Sequence, residues 1–402
     1  MKTIALIGTF DTKGKEFLFV KELIESLGFN TYTIHTGVFE PTFTPDCSNC
    51  TVMEYAGEQL EKVQQKNDRA FATEVLANGM EKLLPQLFKE GKFDGVLSFG
   101  GSGGTSIATP GMRQLPIGVP KVMVSTVASG NTEPYVGTSD IMMLPSIVDV
   151  AGLNSISTKI FTNAVFAIAG MLQFENKVEL EQKPLVATTM FGVTTPCVQF
   201  ATSYLEERGY EVLIFHATGV GGRTMEQLIE DGYIEGVLDF TTTEWADELV
   251  GGVLNAGPNR LEAAGRKGIP QVVSLGALDM VNFGPVDQVP AKFEGRKFYR
   301  HNPTVTLMRT TIEENEQLGK IIAEKLNLAT GPTTLMIPLQ GVSALDAVGQ
   351  DFHGPCEDRT LFEAVKQGVN PQRVTIYEEN LHINEQAFAE KAAEQLIQIM
   401  KK

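Results

Sequence analysis

The chain has 402 residues, enough for two separate cores, and its 49 acidic against 33 basic side chains leave a formal charge of -16. That balance opposes a phosphate polymer unless the bases gather on one face, and no such gathering is visible, so nucleic acid is not expected as a partner. No window approaches 18 uninterrupted apolar residues and Met1–Gly8 runs into an apolar stretch without a basic leader, which predicts a soluble, cytoplasmic protein with no membrane partner.

Lys2–Thr9 (KTIALIGT) reads as a buried strand, Lys13–Leu27 repeats apolar residues at helical spacing, and Asn30–His35 alternates as a second strand. That order predicts a parallel βαβ unit. Phe93–Phe99 (FDGVLSF) and Lys121–Thr126 (KVMVST) read as further strands. Ser146–Phe174 reads as a long apolar helix, and Glu175–Lys183 (ENKVELEQK) as a charged connector.

The same signals return after Lys183. Phe10 and Phe191, Gly28 and Gly209, and His35 and His216 are each 181 positions apart; the offset is 141 between FDGVLSF and IEGVLDF, and 150 between GVPKV and GIPQV. The first copy therefore carries about 40 extra residues, placed at 38–79. The expected fold is α/β: two tandem domains with mainly parallel sheets, related by an internal repeat. Residues 1–175 form the first. Residues 184–402 form the second, with added strands at Pro332–Leu339 and Arg373–Tyr377 and a final helix within Ile383–Met400.

Chemistry concentrates at the strand ends of the first half. Leu97–Met112 (LSFGGSGGTSIATPGM) places Gly100, Gly101, Gly103 and Gly104 where a strand meets a helix beginning near Thr105. Glycines let backbone N–H groups approach an anion, the helix end adds partial positive charge, and Ser102 and Thr105 can donate hydroxyls. The alternative is a tight bend with no ligand. The turn lacks the lysine of a Walker motif, and the following strand ends without the acid that holds a dinucleotide ribose. The first strand ends in Thr9-Phe10-Asp11-Thr12-Lys13, where Lys13 suits phosphate, Asp11 suits a hydrated Mg2+, and Thr9 and Thr12 suit hydrogen bonding. Asp11 or Thr12 could equally be a helix N-cap. Ser125 and Ser129 lie in a third hydroxyl-rich turn.

The second half differs. Cys197 follows Pro196 at a helix start that would lower a thiol pKa, so it is either a nucleophile or a core residue. Gly219–Thr224 is its own anion-friendly turn, and Thr241–Glu248 an acidic helix start. Arg296–Arg309 (RKFYRHNPTVTLMR) is a basic island in which His301 suits acid–base chemistry and Arg309 suits a carboxylate or phosphate; the alternative is a solvated charged loop. Cys47 and Cys50 lack the further ligands zinc requires.

IGTFDTKG, FGGSGGTSIATPGMRQLPIGVPKVMVSTVASGNTEPYVGTSDI, GVTTPCV, DFTTTEWADELVGG, GIPQVVSLGALDMVNFGP and HNPTVTLMRTT resemble the Tm-one-like ATP-binding family. This bacterial and fungal family also forms the amino-terminal inhibitory region of the tomato mosaic virus resistance protein. The resemblance implies two Rossmann-like domains, a homodimer, and ATP with Mg2+ in the first domain. It favours Gly100–Thr105 for phosphates with Asp11, Thr12, Lys13, Ser125 and Ser129 nearby, and the PDCSNC segment departs from it. Three readings follow. One is a Mg-ATP-binding protein whose second domain takes a small organic acid or its phosphorylated form. Another is a catabolic enzyme acting on a keto or hydroxy acid through Cys197, His301 and Arg309 without ATP. The third is an interaction protein with a structural nucleotide.

Overall fold

A computed structural model describes residues 1–174 and 182–401. The connector expected at Glu175–Lys183 thus lies outside the described residues except for its last two. The chain divides into two compact units, Met1–Glu179 and Leu180–Lys402.

The first unit runs β1 (Thr3–Gly8), α1 (Gly14–Ser26), β2 (Asn30–His35), α2 (Asn49–Ala56), α3 (Leu60–Lys66), α4 (Arg69–Lys89), β3 (Gly95–Gly100), α5 (Ser102–Arg113), β4 (Lys121–Ser125), α6 (Glu133–Val136), β5 (Met142–Pro145) and α7 (Ser157–Gln173). Its five strands are parallel in the order β2-β1-β3-β4-β5. Alternate residues of each strand enter opposite layers. Ile4, Leu6, Leu97 and Phe99 pack with Phe17 of α1 and Phe161 of α7, while Ala5, Ile7, Val96 and Met123 pack with Leu83 and Leu84 of α4 and Ile107 of α5. Burial on both faces is why these strands read as nearly continuous apolar runs.

Residues 38–79 supply α2, α3 and the first half of α4, which join the second of those layers through Val52, Val63 and Val75. Cys47 is buried in that layer, where burial pushes its thiol up to about 11, and Cys50 is exposed. Among the described residues no group of three or more His, Cys, Asp or Glu could hold a metal. The helix expected from Ser146 begins only at Ser157, because the Asn154 side chain accepts from the N–H groups of Ile156 and Ser157 and sets the helix start there.

The second unit runs β6 (Leu185–Met190), α8 (Thr195–Glu206), β7 (Glu211–His216), α9 (Val220–Glu230), β8 (Gly236–Thr241), α10 (Glu244–Val250), α11 (Ala263–Lys267), β9 (Gln271–Gly276), β10 (Met280–Phe283), β11 (Phe298–Asn302), β12 (Val305–Arg309), α12 (Ile312–Leu326), β13 (Thr333–Pro338), α13 (Pro355–Gly368), β14 (Val374–Glu379) and α14 (Gln386–Met400). Its main sheet is parallel in the order β14-β13-β9-β8-β6-β7. The run β7-β6-β8-β9-β13 repeats the strand order of the first sheet, and β14 extends it. A separate antiparallel sheet, β10-β12-β11, is an addition that the repeat does not contain. The basic island is therefore not a loop: most of it pairs as the β11–β12 hairpin. Among the described residues no helix is long and apolar enough to cross a membrane.

Candidate functional site

In the first sheet the chain winds outward from β1 in both directions, so the loops after β1 and β3 part and leave a crevice at the carboxyl edge. The glycine turn lies there. Gly101 is the N-cap of α5 and provides no side-chain cap, while Ser102, Gly103 and Gly104 form the first helical turn. The bend itself does not need this composition, since none of the glycines from Gly100 to Gly104 has a positive φ. A Cβ on Gly101 would sit 3.7 Å from Thr126 Oγ1, on Gly103 3.6 Å from an Arg69 guanidinium nitrogen, and on Gly104 3.8 Å from the Phe99 carbonyl. All three are ordinary contacts. Only Gly100, 3.1 Å from Gly104 Cα, is tight.

The β1–α1 turn faces the same crevice. Lys13 and Thr12 donate their N–H groups to the Thr9 carbonyl at 2.9 and 3.2 Å, and the Thr9 and Thr12 hydroxyls meet at 3.1 Å. Asp11 is not a helix cap. Its carboxylate accepts from Thr12 N–H at 2.8 Å and from Phe39 N–H at 3.1 Å, tying the start of the inserted segment to the β1 turn. Lys13 holds the N-cap position of α1 without a side-chain cap, and its ammonium donates to the Val150 carbonyl.

Together these turns line a cavity of about 780 Å3, which also receives Thr9, Thr12, Lys13 and Gly100–Gly104. Its lining also includes the apolar side chains of Val38, Phe39, Val63, Ala72, Leu76 and Ile107. Spacing alone did not show that the inserted segment closes this cavity and brings Arg69 to it. Asp68 caps α4 by accepting from the Ala70 and Phe71 N–H groups, which fixes the exposed Arg69 at the first helical position beside Gly103. Among the described residues no carboxylate pairs with Arg69.

Thr105 and Ser125 are placed differently from expectation. Both are fully buried, their hydroxyls lie 2.6 Å apart, and Thr105 also donates to the Gly101 carbonyl, so they brace α5 against β4 and do not line the cavity. Ser125 and Ser129 border a neighbouring depression.

In the second unit the anion-friendly turn is filled by the chain itself. Glu244 accepts from the N–H groups of Gly219 and Gly222 at 2.7 and 3.1 Å, and Arg260 Nε donates to it at 2.7 Å. Arg260, 1% exposed, also grips Asp239 at 2.6 and 2.9 Å. A carboxylate thus stands where an external anion was expected.

The three catalytic candidates do not share an accessible site. Cys197 is fully buried among Val198, Leu238 and Phe388, and burial pushes its thiol well above the usual range, so the core reading replaces the nucleophile. His301 lies exposed on β11. Arg309 is buried and donates to Asp358 at 2.9 Å and Asp346 at 3.4 Å, so it holds the chain's own carboxylates and not a ligand's.

This cluster makes stability depend on pH. Burial, and next the charge of Asp346, pushes Asp279 up to about 7 and Asp358 up to about 8. The folded chain therefore binds more protons than the unfolded one. The stabilisation is complete below about pH 4, declines as pH rises from there, and is gone once pH has passed the range of 7 to 8. The melting temperature is expected to fall between about pH 4 and 8 and to level off above that. Asp358→Asn, whose carboxamide copies the protonated acid, should flatten the fall; an unchanged slope would count against this cluster.

Two parallel sheets of one strand order, the first with a glycine-turned crevice where its winding diverges, define a tandem doubly wound α/β protein. The chain belongs to the uncharacterised protein family UPF0261, whose N-terminal domain matches residues 2–177 and whose C-terminal domain matches residues 183–400. A UPF0261 protein of Clostridium tetani is 54% identical over the full length of both chains. The ToMV resistance protein Tm-1(GCR237) of Solanum lycopersicum is 41% identical over 98% of this chain, which spans 55% of that protein. The resemblance to the Tm-one-like family is borne out. A UDP-N-acetylglucosamine 2-epimerase structure from Rickettsia bellii aligns over 99% of this chain and 96% of its own at 11% identity and a TM-score of 0.20, too weak to carry any argument.

Proposed function

We propose that the first unit binds a nucleoside triphosphate, with ATP as the reference ligand and its phosphates on the N-terminus of α5. One observation carries this reading: Gly103 and Gly104 occupy a helical turn that neither φ nor crowding reserves for glycine. Each costs about 0.5–1 kcal/mol relative to alanine in a helix. A ligand seated against the turn accounts for that cost, because its oxygens need the space a methyl group would fill. The cavity's apolar lining, with Phe39 63% exposed, favours a nucleotide over inorganic phosphate.

Mg2+ commonly keeps several waters and takes one or two carboxylates together with phosphate oxygens, so a protein-only cage is not required. The remaining lone pairs of Asp11 would hold such a hydrated ion, and the ion would neutralise phosphate charge. The second unit's candidate groups are consumed internally, which leaves the reading through Cys197 and Arg309 without support.

Calorimetric titration with ATP and AMP, each with and without Mg2+, tests the proposal. ATP is expected to bind more tightly than AMP, and more so with the metal. Arg69→Ala should weaken ATP about 10- to 100-fold, the loss of a charge-assisted phosphate contact of about 1.5–3 kcal/mol, and leave AMP unchanged. Absence of binding by the wild-type protein would overturn the proposal.

A further inference from the structure

A second depression, of about 570 Å3, adjoins the glycine-turn cavity and shares Thr126 and Asp149 with it. Its remaining polar lining comes from Ser125, Ser129 and Ser146. The loop after β5 also lines it, through Ile147, Val148 and Asp149, and this loop is constrained at several points. Ser146 N–H donates to the Ser125 carbonyl at 3.1 Å, Lys13 donates to the Val150 carbonyl, and Gly152 N–H donates to Glu16 at 2.5 Å. Between these anchors Val148 N–H reaches back to the Ser146 carbonyl at 2.7 Å, which forces Ile147 to a φ of +65°. A β-branched residue in that region is strained, and strain of this kind collects at functional sites. Ile147 is also 72% exposed, so core packing does not explain its position. The result is that Asp149, exposed and without a partner among the described residues, stands where the two depressions meet.

We propose that this depression is the acceptor subsite for a small uncharged hydroxylated molecule, and that Asp149 takes the acceptor's proton. The proposal rests on the nucleotide reading of the neighbouring cavity. The exposed Thr126 and Ser129 hydroxyls can both donate to and accept from an alcohol group. No lysine or arginine lines the depression, so nothing in it would pair with a carboxylate acceptor, and an uncharged alcohol suits it better. In the transfer, the acceptor oxygen bonds to the terminal phosphorus of the nucleoside triphosphate and the bond from that phosphorus to the bridging oxygen breaks. The hydroxyl proton passes to the Asp149 carboxylate, and the nucleoside diphosphate leaves. Asp149 then releases the proton to water.

The test uses full-length protein with Mg-ATP and two acceptors, water and glycerol, following nucleoside diphosphate release and, by phosphorus NMR, the new phosphate monoester. Wild-type protein is expected to release diphosphate slowly in water and faster with glycerol, with glycerol phosphate formed. Asp149→Asn should lower kcat for both by about 100-fold or more while the calorimetric affinity for ATP stays within about two-fold, and Asp149→Glu should restore part of the rate. Wild-type protein that binds ATP yet transfers to neither acceptor, or an Asp149→Asn variant as fast as wild type, overturns this proposal alone. Failure of wild-type protein to bind ATP overturns the nucleotide reading beneath it.

Discussion

Replacing Gly103 with aspartate is expected to leave the protein as stable as the wild type or more so, and to abolish nucleotide binding. The two effects have opposite signs because they have different causes. In the fold, a Cβ at this position meets nothing closer than an Arg69 guanidinium nitrogen at 3.6 Å. An aspartate in the first turn of α5 also favours the helix, by removing the entropy cost of glycine and by placing a negative charge at the positive end of the dipole, together worth about 1 kcal/mol. In the complex, the same carboxylate would stand against the phosphates and compete for Arg69, so affinity should fall by at least about 100-fold. Thermal melting and calorimetric titration of one preparation separate the terms. A destabilised variant would show that the turn is glycine-rich for reasons of folding. A stable variant with unchanged affinity would move the phosphates elsewhere.

The strand framework was legible because each parallel strand is buried on both faces and leaves a short apolar run, and because the two copies share positions such as Gly28 and Gly209. The glycine turn was legible as a place in the fold, since its four glycines mark the junction where a buried strand gives way to a helix. The closure of the cavity was not legible. Arg69 lies 31 residues before Gly100 in sequence, inside an insertion whose path back to the sheet edge depends on tertiary packing of Val52, Val63 and Val75. Asp149 was hidden by composition: the loop that carries it, Ser146–Ile156, is apolar enough to read as a helix, and only the Asn154 cap shows where the helix starts. The β11–β12 hairpin was missed because charged residues on its exposed face masked the alternation.

The comparison of the two glycine turns leads to the largest expected change in stability, at Arg260. Glu244 fills the second unit's nest at the cost of bringing a carboxylate into a buried position, and Asp239 is buried beside it. Burial pushes the Glu244 carboxyl up, against the pull of Arg260, so the guanidinium is what keeps this arrangement tolerable. Arg260→Ala removes the cation that, among the described residues, touches both Asp239 and Glu244 and also reaches Glu226 at 3.3 Å. The expected loss is about 3–5 kcal/mol of unfolding free energy, the range for breaking a buried pair and leaving charge behind. Adding Glu244→Gln should recover part of it, because the carboxamide oxygen can still accept from Gly219 and Gly222 without the charge. Denaturant unfolding of wild type, both single variants and the double variant gives the coupling directly. Additive single-variant losses would mean that Glu244 does not depend on Arg260, and that the second unit could release its carboxylate and take an external anion as the first is proposed to do.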